Sequence, residues 1–444
     1  MRSYITTLLE SGAMRVVARE VEGRFELAGV TQRSQRESDR PILFQKVKGT
    51  RFPVVTNLFG SRRRLCELIG AGDGAFCRRW TELMRQPMQN LSGLINLSGL
   101  SDEFEEISLS DLPQLTYHEK DAGPYITAGV FLAKEPETGV PNLSFHRCMH
   151  VNDTELRVRL GTSHHLTRYQ AKAEQANEAL EAAILLGPPP EVVLAAAAPI
   201  PYEESELEVA AKLAGQPLPM RRCRHIALEV PTETEIVIEG RFLPHVRRPE
   251  APFGEFLGFY VPQGNNHVFE VLAVTCRPQA YYHALLCGSP EDHRLLELAF
   301  ATRVYQHLSA TLPGILDVSC VPNIMNMAVK IKQQYEGHAR QVLLTALGVN
   351  HDFGKSCMVV DEDVDINDLN DVYWAFLTRG RADTRAFTIP DVPGFYRDPH
   401  QDHWGRLAID ATMPFERQDE FQRKRIPGVE SLNLQEYFGV VVRR

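Results

Sequence analysis

Short apolar runs separated by turn residues characterise the first part of the chain. Two of these runs predict strands, at residues 41–44 and 52–56. The segments 61–70 and 74–86 are predicted to be helices. We therefore expect a small N-terminal α/β domain over residues 1–115.

The middle of the chain is richer in Val, Ile, Thr and Tyr, which favour strands. A helix rich in Ala, Glu, Gln and Lys is predicted from Arg168 to about Leu186, and a shorter one from Glu204 to Ala214. The pattern indicates a split β-barrel-like domain with inserted helices over residues 116–305. The predicted extended segments are 125–132, 157–160, 191–197, 235–238, 268–275 and 281–286.

Strands and helices alternate in the last part of the chain. Strands are predicted at 327–331 and 356–360, and helices at 338–347 and 369–378. Such alternation favours a parallel α/β layer, which we expect over residues 306–444. The chain beyond Pro390 is rich in Pro, Asp and Arg and is predicted to be irregular. The predicted fold class is thus α/β (α+β) in three domains.

Amino-acid composition and net charge limit the classes of protein to which the chain can belong. Of the 444 residues 43% are hydrophobic, and the formal net charge is −9, which fits a globular protein and disfavours nucleic-acid binding. The most apolar stretch, 179–200, is interrupted by Pro188, Pro189, Pro190 and Glu191, so we expect no membrane span there. The eight cysteines form no C-x-x-C pair and the start shows no signal-peptide pattern, which together indicate the cytoplasm.

One short stretch carries the strongest sign of chemistry. Residues 250–255 read Glu-Ala-Pro-Phe-Gly-Glu, so two carboxylates flank a Pro-Phe-Gly turn. Pro252 fixes its own φ and Gly254 permits angles closed to other residues, which predicts a bend that holds the acids at a set separation. Two carboxylates in one site tend to separate in pKa, which suits an acid/base pair. An ordinary surface turn is the alternative.

Several common catalytic motifs are absent. The sequence has no G-x-G-x-x-G, no G-x-x-x-x-G-K-[ST], no G-x-S-x-G and no H-E-x-x-H. The acidic run 361–365 is similar to the start of a calcium loop, but Ile366 stands where such a loop needs Gly and Val372 where it needs Glu. We expect these acids to end a strand and cap the next helix. A calcium-regulated binding protein stays an alternative class.

Three separated segments carry side chains that can bind cations. Amide oxygen, imidazole and carboxylate are ligands that a divalent ion accepts, with phosphate or water completing its shell. From the residues alone this pattern is weak, because a histidine next to another histidine is more often a packed or surface residue. The segments are Asn142 to Arg147, Ser163-His164-His165 and Ser205-Glu206.

Longer motifs resemble the UbiD-type decarboxylases, which use prenylated FMN. The stretch 235–240, Glu-Ile-Val-Ile-Glu-Gly, followed by 250–255, is similar to the core signature of that family. The resemblance covers essentially the whole chain. Within the family, the chain resembles the branch that acts on small heteroaromatic acids. Further similar runs are 43–49, 121–129, 142–147, 360–365, 378–379 and 409–412.

The resemblance implies which residues are catalytic. The family's Arg-Glu-Glu triad falls on Arg147, Glu250 and Glu255. Loss of CO₂ from an sp² carbon needs an electron sink that side chains do not offer, and in the family a covalent prenylated-FMN adduct supplies it. Arg147 would bind the substrate carboxylate or stabilise the adduct, and Glu250 would hold Arg147. Glu255 would protonate the carbon, which makes the chain a reversible carboxy-lyase.

The resemblance also implies a metal and phosphate site. A divalent ion, Mn²⁺ or Mg²⁺, would bridge the FMN phosphate to Asn142, His165 and Glu206, with K⁺ nearby. The family has an aliphatic residue after its histidine, and Leu166 gives His165 that place rather than His164.

Two further residues are expected at the cofactor. Ser144 lies in the same motif as Asn142, and Lys355 precedes the acidic run that the family shares. The alternative for Lys355 is a surface lysine at the start of a strand. A flavin prenyltransferase that supplies the cofactor is the implied cellular partner, and the family implies a homodimer or hexamer formed through the C-terminal domain.

The substrate is the least determined feature. His293 and Arg303 lie where the family's substrate pocket is often lined, and they could anchor a second carboxylate or a ring heteroatom. We therefore expect a furan- or pyrrole-carboxylate-like acid such as furandicarboxylate. The alternatives are a phenolic, hydroxybenzoate-type acid, or a flavin-binding subunit without activity. His293 as a helix cap and Arg303 in a surface ion pair would be the structural alternative.

Overall fold

The computed structural model describes residues 1–86, 104–161, 164–349, 353–394, 403–424, 426–433 and 436–437. The helices are α1 (Arg2–Glu10), α2 (Glu26–Gln35), α3 (Arg62–Ile69), α4 (Phe76–Arg85), α5 (His165–Gln175), α6 (Pro190–Ala195), α7 (Glu206–Ala214), α8 (Pro290–Thr311), α9 (His338–Leu347) and α10 (Leu369–Arg379).

Strands make up most of the middle of the chain. In chain order they are β1 (Arg15–Val17), β2 (Ile42–Phe44), β3 (Val54–Thr56), β4 (Glu105–Ile107), β5 (Tyr125–Ile126), β6 (Val130–Lys134), β7 (Pro141–Phe145), β8 (Cys148–Asn152), β9 (Glu155–Val158), β10 (Leu180–Leu186), β11 (Met220–Arg222), β12 (Glu229–Pro231), β13 (Ile236–Glu250), β14 (Phe253–Gly254), β15 (Tyr260–Val261), β16 (Gly264–Cys276), β17 (Tyr282–His283), β18 (Ile315–Cys320), β19 (Asn326–Ile331), β20 (Ser356–Asp361), β21 (Ala386–Pro393) and β22 (His403–Asp410).

A nine-stranded antiparallel sheet forms the centre of the molecule. Its pairing order is β5-β8-β9-β16-β13-β10-β6-β7, with β4 added beside β16. The two long strands β13 and β16 pair over most of their lengths and bring Glu250 opposite Gly264. The described pairings form an open path, so the sheet is not closed into a barrel. The predicted mixed α/β class with a strand-rich middle domain is confirmed.

Smaller sheets flank this centre. The N-terminal sheet, β1-β2-β3-β17, takes its last strand from the middle of the chain. The C-terminal sheet has the order β18-β19-β20-β22-β21, with β20 parallel to both of its neighbours, as the alternating pattern predicted.

A buried ion-pair cluster ties the N-terminal part to the C-terminal part. Arg62 Nη1 lies 3.0 Å from Glu297 Oε1 on α8, and its Nη2 lies 3.1 Å from Asp317 Oδ2 on β18. α8 runs across residue 305, which is one of the predicted domain boundaries; the boundaries themselves stay predictions.

Two predicted elements are wrong. The helix predicted to reach Leu186 ends at Gln175, where Asn177 takes a left-handed backbone (φ 57°), and residues 180–186 are the buried strand β10. A short apolar run suits a central strand even when its residues favour helices. Residues 190–195 are helix α6 rather than strand, because Pro190 suits the first helical position.

The tail beyond Pro390 is not irregular throughout. β22 lies between β20 and β21, with Trp404, Arg406 and Ala408 buried at alternate positions. That two-residue period is the signature of a strand, and it was obscured because a charged residue, Arg406, occupies a buried position and an apolar one, Leu407, an exposed position. The 22-residue helix α8 was not predicted as an element either.

Two aspartates of the acidic run at the end of β20 form ion pairs with one arginine. Arg379 Nη1 lies 3.1 Å from Asp361 Oδ2, and its Nη2 lies 2.7 Å from Asp363 Oδ2. The helix α10 is capped by Asp368 instead, three residues beyond the run. Among the described helices, none is both long and apolar enough to cross a membrane.

Candidate active site

One arginine lies between the two carboxylates of the Pro-Phe-Gly turn. Arg147 Nε and Nη2 donate to the two oxygens of Glu250 at 2.8 and 3.2 Å, a bidentate pair. Its Nη1 donates to Glu255 Oε1. The side chain of Glu250 is 1% exposed and that of Glu255 is 17% exposed. The structure therefore brings together all three residues of the predicted triad, with Glu255 the more accessible acid.

Strand ends and a short turn position this triplet. Arg147 lies between β7 and β8, Glu250 is the last residue of β13, and Glu255 follows β14. The turn is held from outside by Asp121, whose Oδ1 accepts from Gly254 N at 2.9 Å. This hydrogen bond and the pairing of β14 with β15 hold the turn between the two acids in place.

The reason for glycine at position 254 differs from the prediction. Its φ is not in the left-handed region. A Cβ there would lie 2.5 Å from His118 Nδ1, so the glycine is required by a close approach.

Burial and charge act in opposite directions on Arg147. Burial alone would lower the pKa of its guanidinium, but the hydrogen bond and charge of Glu250 and the charge of Glu255 raise that pKa well above its ordinary value. The guanidinium also lies over the Phe253 ring, 4.9 Å from its centroid. Arg147 is therefore a fixed cation.

Sequence reasoning missed two residues of this site. Asn266 on β16 donates from Nδ2 to Glu250 Oε2, and only the pairing of β13 with β16 brings it there. Asp292 on α8 accepts from Gly288 N at 2.7 Å. Burial raises the pKa of Asp292 to about 6, and the nearby charge of Glu255 adds to that effect. Asp292 lies beside His293, which the sequence did single out.

A second cluster contains the predicted metal ligands. Asn142 Nδ2 lies 2.9 Å from Glu206 Oε1, and His165 Nδ1 lies 3.8 Å from the same oxygen. Glu206 Oε2 accepts from Leu143 N at 2.8 Å. β7 supplies Asn142, and the first residues of α5 and α7 are His165 and Glu206. The structure thus brings the three predicted ligands together.

The donor set of this cluster fits a divalent cation. Burial raises the pKa of Glu206 to about 7, and among the described residues no lysine or arginine forms an ion pair with this carboxylate. A cation would supply a positive partner, with carboxylate and amide oxygens and an imidazole nitrogen as ligands. Within the described residues no group of three His, Cys, Asp or Glu side chains is arranged for a metal, so a site here includes the carboxamide of Asn142.

Ser144 and a neighbouring histidine extend the cluster into the protein. Ser144 Oγ lies 3.1 Å from Asn142 Oδ1 and 2.9 Å from His146 Nε2. His146 is 5% exposed and packs against the rings of Phe131 and His164. Burial and the nearby His164 lower the pKa of His146 well below its usual range, so the imidazole is neutral. His146 lies inside the motif 142–147, but the sequence did not predict its hydrogen bonds to Ser144 and to the Arg159 carbonyl.

The remaining predicted residues are spread more widely. The ammonium of Lys355 lies over the Trp404 ring, 4.7 Å from its centroid, in the C-terminal sheet. His293 and Arg303 are both on α8, about 15 Å apart along its axis by the helical rise. His293 is half-buried, whereas Arg303 is exposed. Burial lowers the pKa of His165, and the charges of Arg168 and Arg303 lower it further. Arg303 is therefore close enough to the Asn142 cluster for its charge to act on His165.

Three domain descriptions of one family match most of the chain. The 3-octaprenyl-4-hydroxybenzoate carboxy-lyase N-terminal domain matches residues 5–84, its Rift-related domain matches 98–290 and its C-terminal domain matches 293–411. The anhydromevalonate phosphate decarboxylase of Methanothermobacter thermautotrophicus is 34% identical over 433 residues, which cover 95% of this chain and 99% of that protein.

Solved structures agree with these matches. The UbiD-class enzyme HmfF from Pelotomaculum thermopropionicum, in complex with FMN, is 32% identical with a TM-score of 0.91, covering 98% of this chain and 99% of that one. An evolved dimeric form of HmfF was solved with prFMN. The vanillic acid decarboxylase of Sedimentibacter hydroxybenzoicus, in its closed form, is 26% identical with a TM-score of 0.79, covering 97% and 96%.

Family models, a full-length relative and solved structures all lead to the same assignment. This chain belongs to the UbiD family of decarboxylases, which are carboxy-lyases whose solved members bind FMN or prenylated FMN.

Proposed function

We propose that the protein catalyses the reversible, non-oxidative decarboxylation of an aromatic or heteroaromatic acid, with Glu255 as the proton donor to carbon. One observation carries the proposal: Arg147 is fixed between two carboxylates of very different exposure. The reaction converts R–COO⁻ and H⁺ into R–H and CO₂, so the site must bind a carboxylate and deliver one proton.

Arg147 is the proposed carboxylate-binding group. Glu250 and Asn266 hold it from the buried side, since Glu250 accepts from both residues. The contact of Arg147 with Glu255 is then the one that a substrate can replace. Glu250 thus acts on the substrate only through Arg147.

Glu255 is the proposed acid because it is the reachable one. Once a substrate carboxylate pairs with Arg147, a protonated Glu255 can donate to the carbon that CO₂ has left, and the C–H bond forms as the Oε–H bond breaks. In the carboxylation direction the same oxygen takes the proton back. Prenylated FMN, when bound, would supply the electron sink for this chemistry.

The divalent ion, Mn²⁺ or Mg²⁺, would be held beside the cofactor phosphate by Asn142, His165 and Glu206. Further contacts to the cofactor would come from Ser144 and Lys355, and a K⁺ ion would lie nearby. The raised pKa of Glu206 and its distances to the other two ligands support this part. A flavin prenyltransferase as partner, a homo-oligomer and a cytoplasmic location belong to the same proposal.

The proposed substrate is a furan- or pyrrole-carboxylate-like acid such as furandicarboxylate, with His293 and Arg303 as anchors of a second acidic group or ring heteroatom. Two other substrates have support from relatives. Phenolic acids are favoured by the vanillic acid decarboxylase, and an anhydromevalonate phosphate by the relative that is 34% identical. The second of these also carries an additional anionic group.

A substrate panel separates these candidates. The protein is co-expressed with a flavin prenyltransferase, and CO₂ release is measured from furan-2,5-dicarboxylate, pyrrole-2-carboxylate, vanillate and anhydromevalonate phosphate. We expect the largest kcat/KM for a furan or pyrrole acid. No turnover of either contradicts that choice, and turnover of one of the others then identifies the substrate class.

Replacing the proposed proton donor tests the chemistry itself. Glu255→Gln should lower kcat for CO₂ release by about 10²- to 10⁴-fold, the usual contribution of a positioned acid. The flavin absorbance of the purified variant shows whether the cofactor is retained, and Glu178→Gln on the exposed surface is the matched control. Full turnover by the Glu255 variant would exclude the role of Glu255.

Asp292 should make stability depend on pH. Its folded pKa of about 6 lies above the ordinary aspartate value, so its ionised form is disfavoured in the folded state. The resulting loss of stability develops as pH rises from about 4 to 6 and is complete above that range. Buried acids of this kind cluster at functional sites.

Asp292→Asn should therefore raise the midpoint of thermal unfolding at pH 8, by an amount corresponding to about 1–3 kcal/mol, and have little effect near pH 4. Asp153→Asn is the control. Hydrogen bonds from Ser110 lower the pKa of Asp153, so that variant should gain nothing at pH 8. A gain for Asp292→Asn that is equal at both pH values would contradict the assigned titration.

A further inference from the structure

Four hydrogen-bonded groups form a chain that leads from the interior to Glu206. His146 Nδ1 lies 3.2 Å from the carbonyl oxygen of Arg159, and its Nε2 lies 2.9 Å from Ser144 Oγ. Ser144 Oγ lies 3.1 Å from the carboxamide of Asn142, and that carboxamide lies 2.9 Å from Glu206 Oε1. The first group of the chain is a carbonyl, which can only accept.

The direction of each hydrogen bond follows from that carbonyl. The carbonyl of Arg159 needs a proton on His146 Nδ1, and a neutral imidazole carries only one, so Nε2 is an acceptor. Ser144 must then donate its single proton to Nε2 and can only accept from Asn142. This sequence of donors requires the carboxamide of Asn142 to present its NH₂ group to Ser144 and its oxygen to Glu206, the reverse of the orientation described above, in which Nδ2 donates to Glu206 Oε1.

Each orientation of Asn142 leaves one pair of acceptors facing each other, and the two orientations differ in which pair that is. With the carboxamide oxygen towards Ser144, the hydroxyl would donate to Asn142, and His146 Nε2–H would donate to the hydroxyl. The unprotonated Nδ1 would then face the carbonyl of Arg159, with two acceptors 3.2 Å apart. Nitrogen and oxygen of a carboxamide have nearly the same shape, so hydrogen-bond direction decides which atom occupies each place.

We infer that His146 is a positioning residue that acts through Ser144 to turn the carboxamide oxygen of Asn142 towards Glu206. Two oxygens about 2.9 Å apart then face each other, an arrangement that a cation between them stabilises. The inference rests on the proposed metal site and names the residues that orient its amide ligand. A purely structural His146 would only fill space between Phe131 and His164.

A double-mutant cycle in metal binding tests this. The full chain, saturated with FMN, is titrated with Mn²⁺, and the free ion is measured by electron paramagnetic resonance. In His146→Phe, Ser144 is free to donate to Asn142, the amide turns, and the Kd for Mn²⁺ should rise about tenfold, as is usual when the hydrogen-bond support of a ligand is lost. Asn142→Asp removes the need for orientation, because both terminal atoms are then oxygens.

In the Asn142→Asp background, His146→Phe should change the Kd for Mn²⁺ less than about twofold. An equal loss in both backgrounds is what a structural role gives, and it overturns the inference while leaving the metal site intact. Absence of Mn²⁺ binding by the unsubstituted protein overturns both. If the phenylalanine variant does not fold, Ser144→Ala breaks the same chain and is measured in the same two backgrounds, with the same decisive outcomes.

Discussion

The arrangement of the active site depends on one buried ion triplet, Glu250–Arg147–Glu255. Bringing these charges out of water costs free energy that only good geometry and further hydrogen bonds offset. The bidentate pair with Glu250 and the donation from Asn266 supply that geometry on the buried side. Loss of one partner from such a group typically costs about 3–5 kcal/mol, so the sheet around the triplet must hold all three in register.

The central sheet meets this requirement by placing functional residues where strands end. Arg147 follows β7, Glu250 ends β13 opposite Gly264, and Asn266 lies two residues further along β16. The same strand β7 carries Asn142, so one element positions both the triplet and the proposed metal ligand. These residues of the proposed catalytic and cofactor-binding sites thus lie in or next to paired strands of the same sheet.

The elements whose structure depends mainly on residues close together in the chain could be predicted from the sequence. The helices α9 and α10 and the strand β20 follow from their patterns. The bend between Glu250 and Glu255 was predicted from Pro252 and Gly254, but its contacts with Asp121 and His118 were not. Arg147, Asn142 and Glu206 needed the family resemblance, because their closeness results from pairing between distant segments. Asn266 and Asp292 were missed for the same reason. β10 and α6 were predicted wrongly because burial in the central sheet and a proline at a helix start outweighed residue preference.

The central claim is that this site acts on a carboxylic acid only with a modified flavin. It is tested most directly by purifying the protein with and without a co-expressed flavin prenyltransferase, identifying the bound flavin by mass, and measuring CO₂ release from the best acid of the panel. We expect prenylated FMN and turnover in the first preparation, and FMN without turnover in the second. Equal turnover in both preparations would contradict the account.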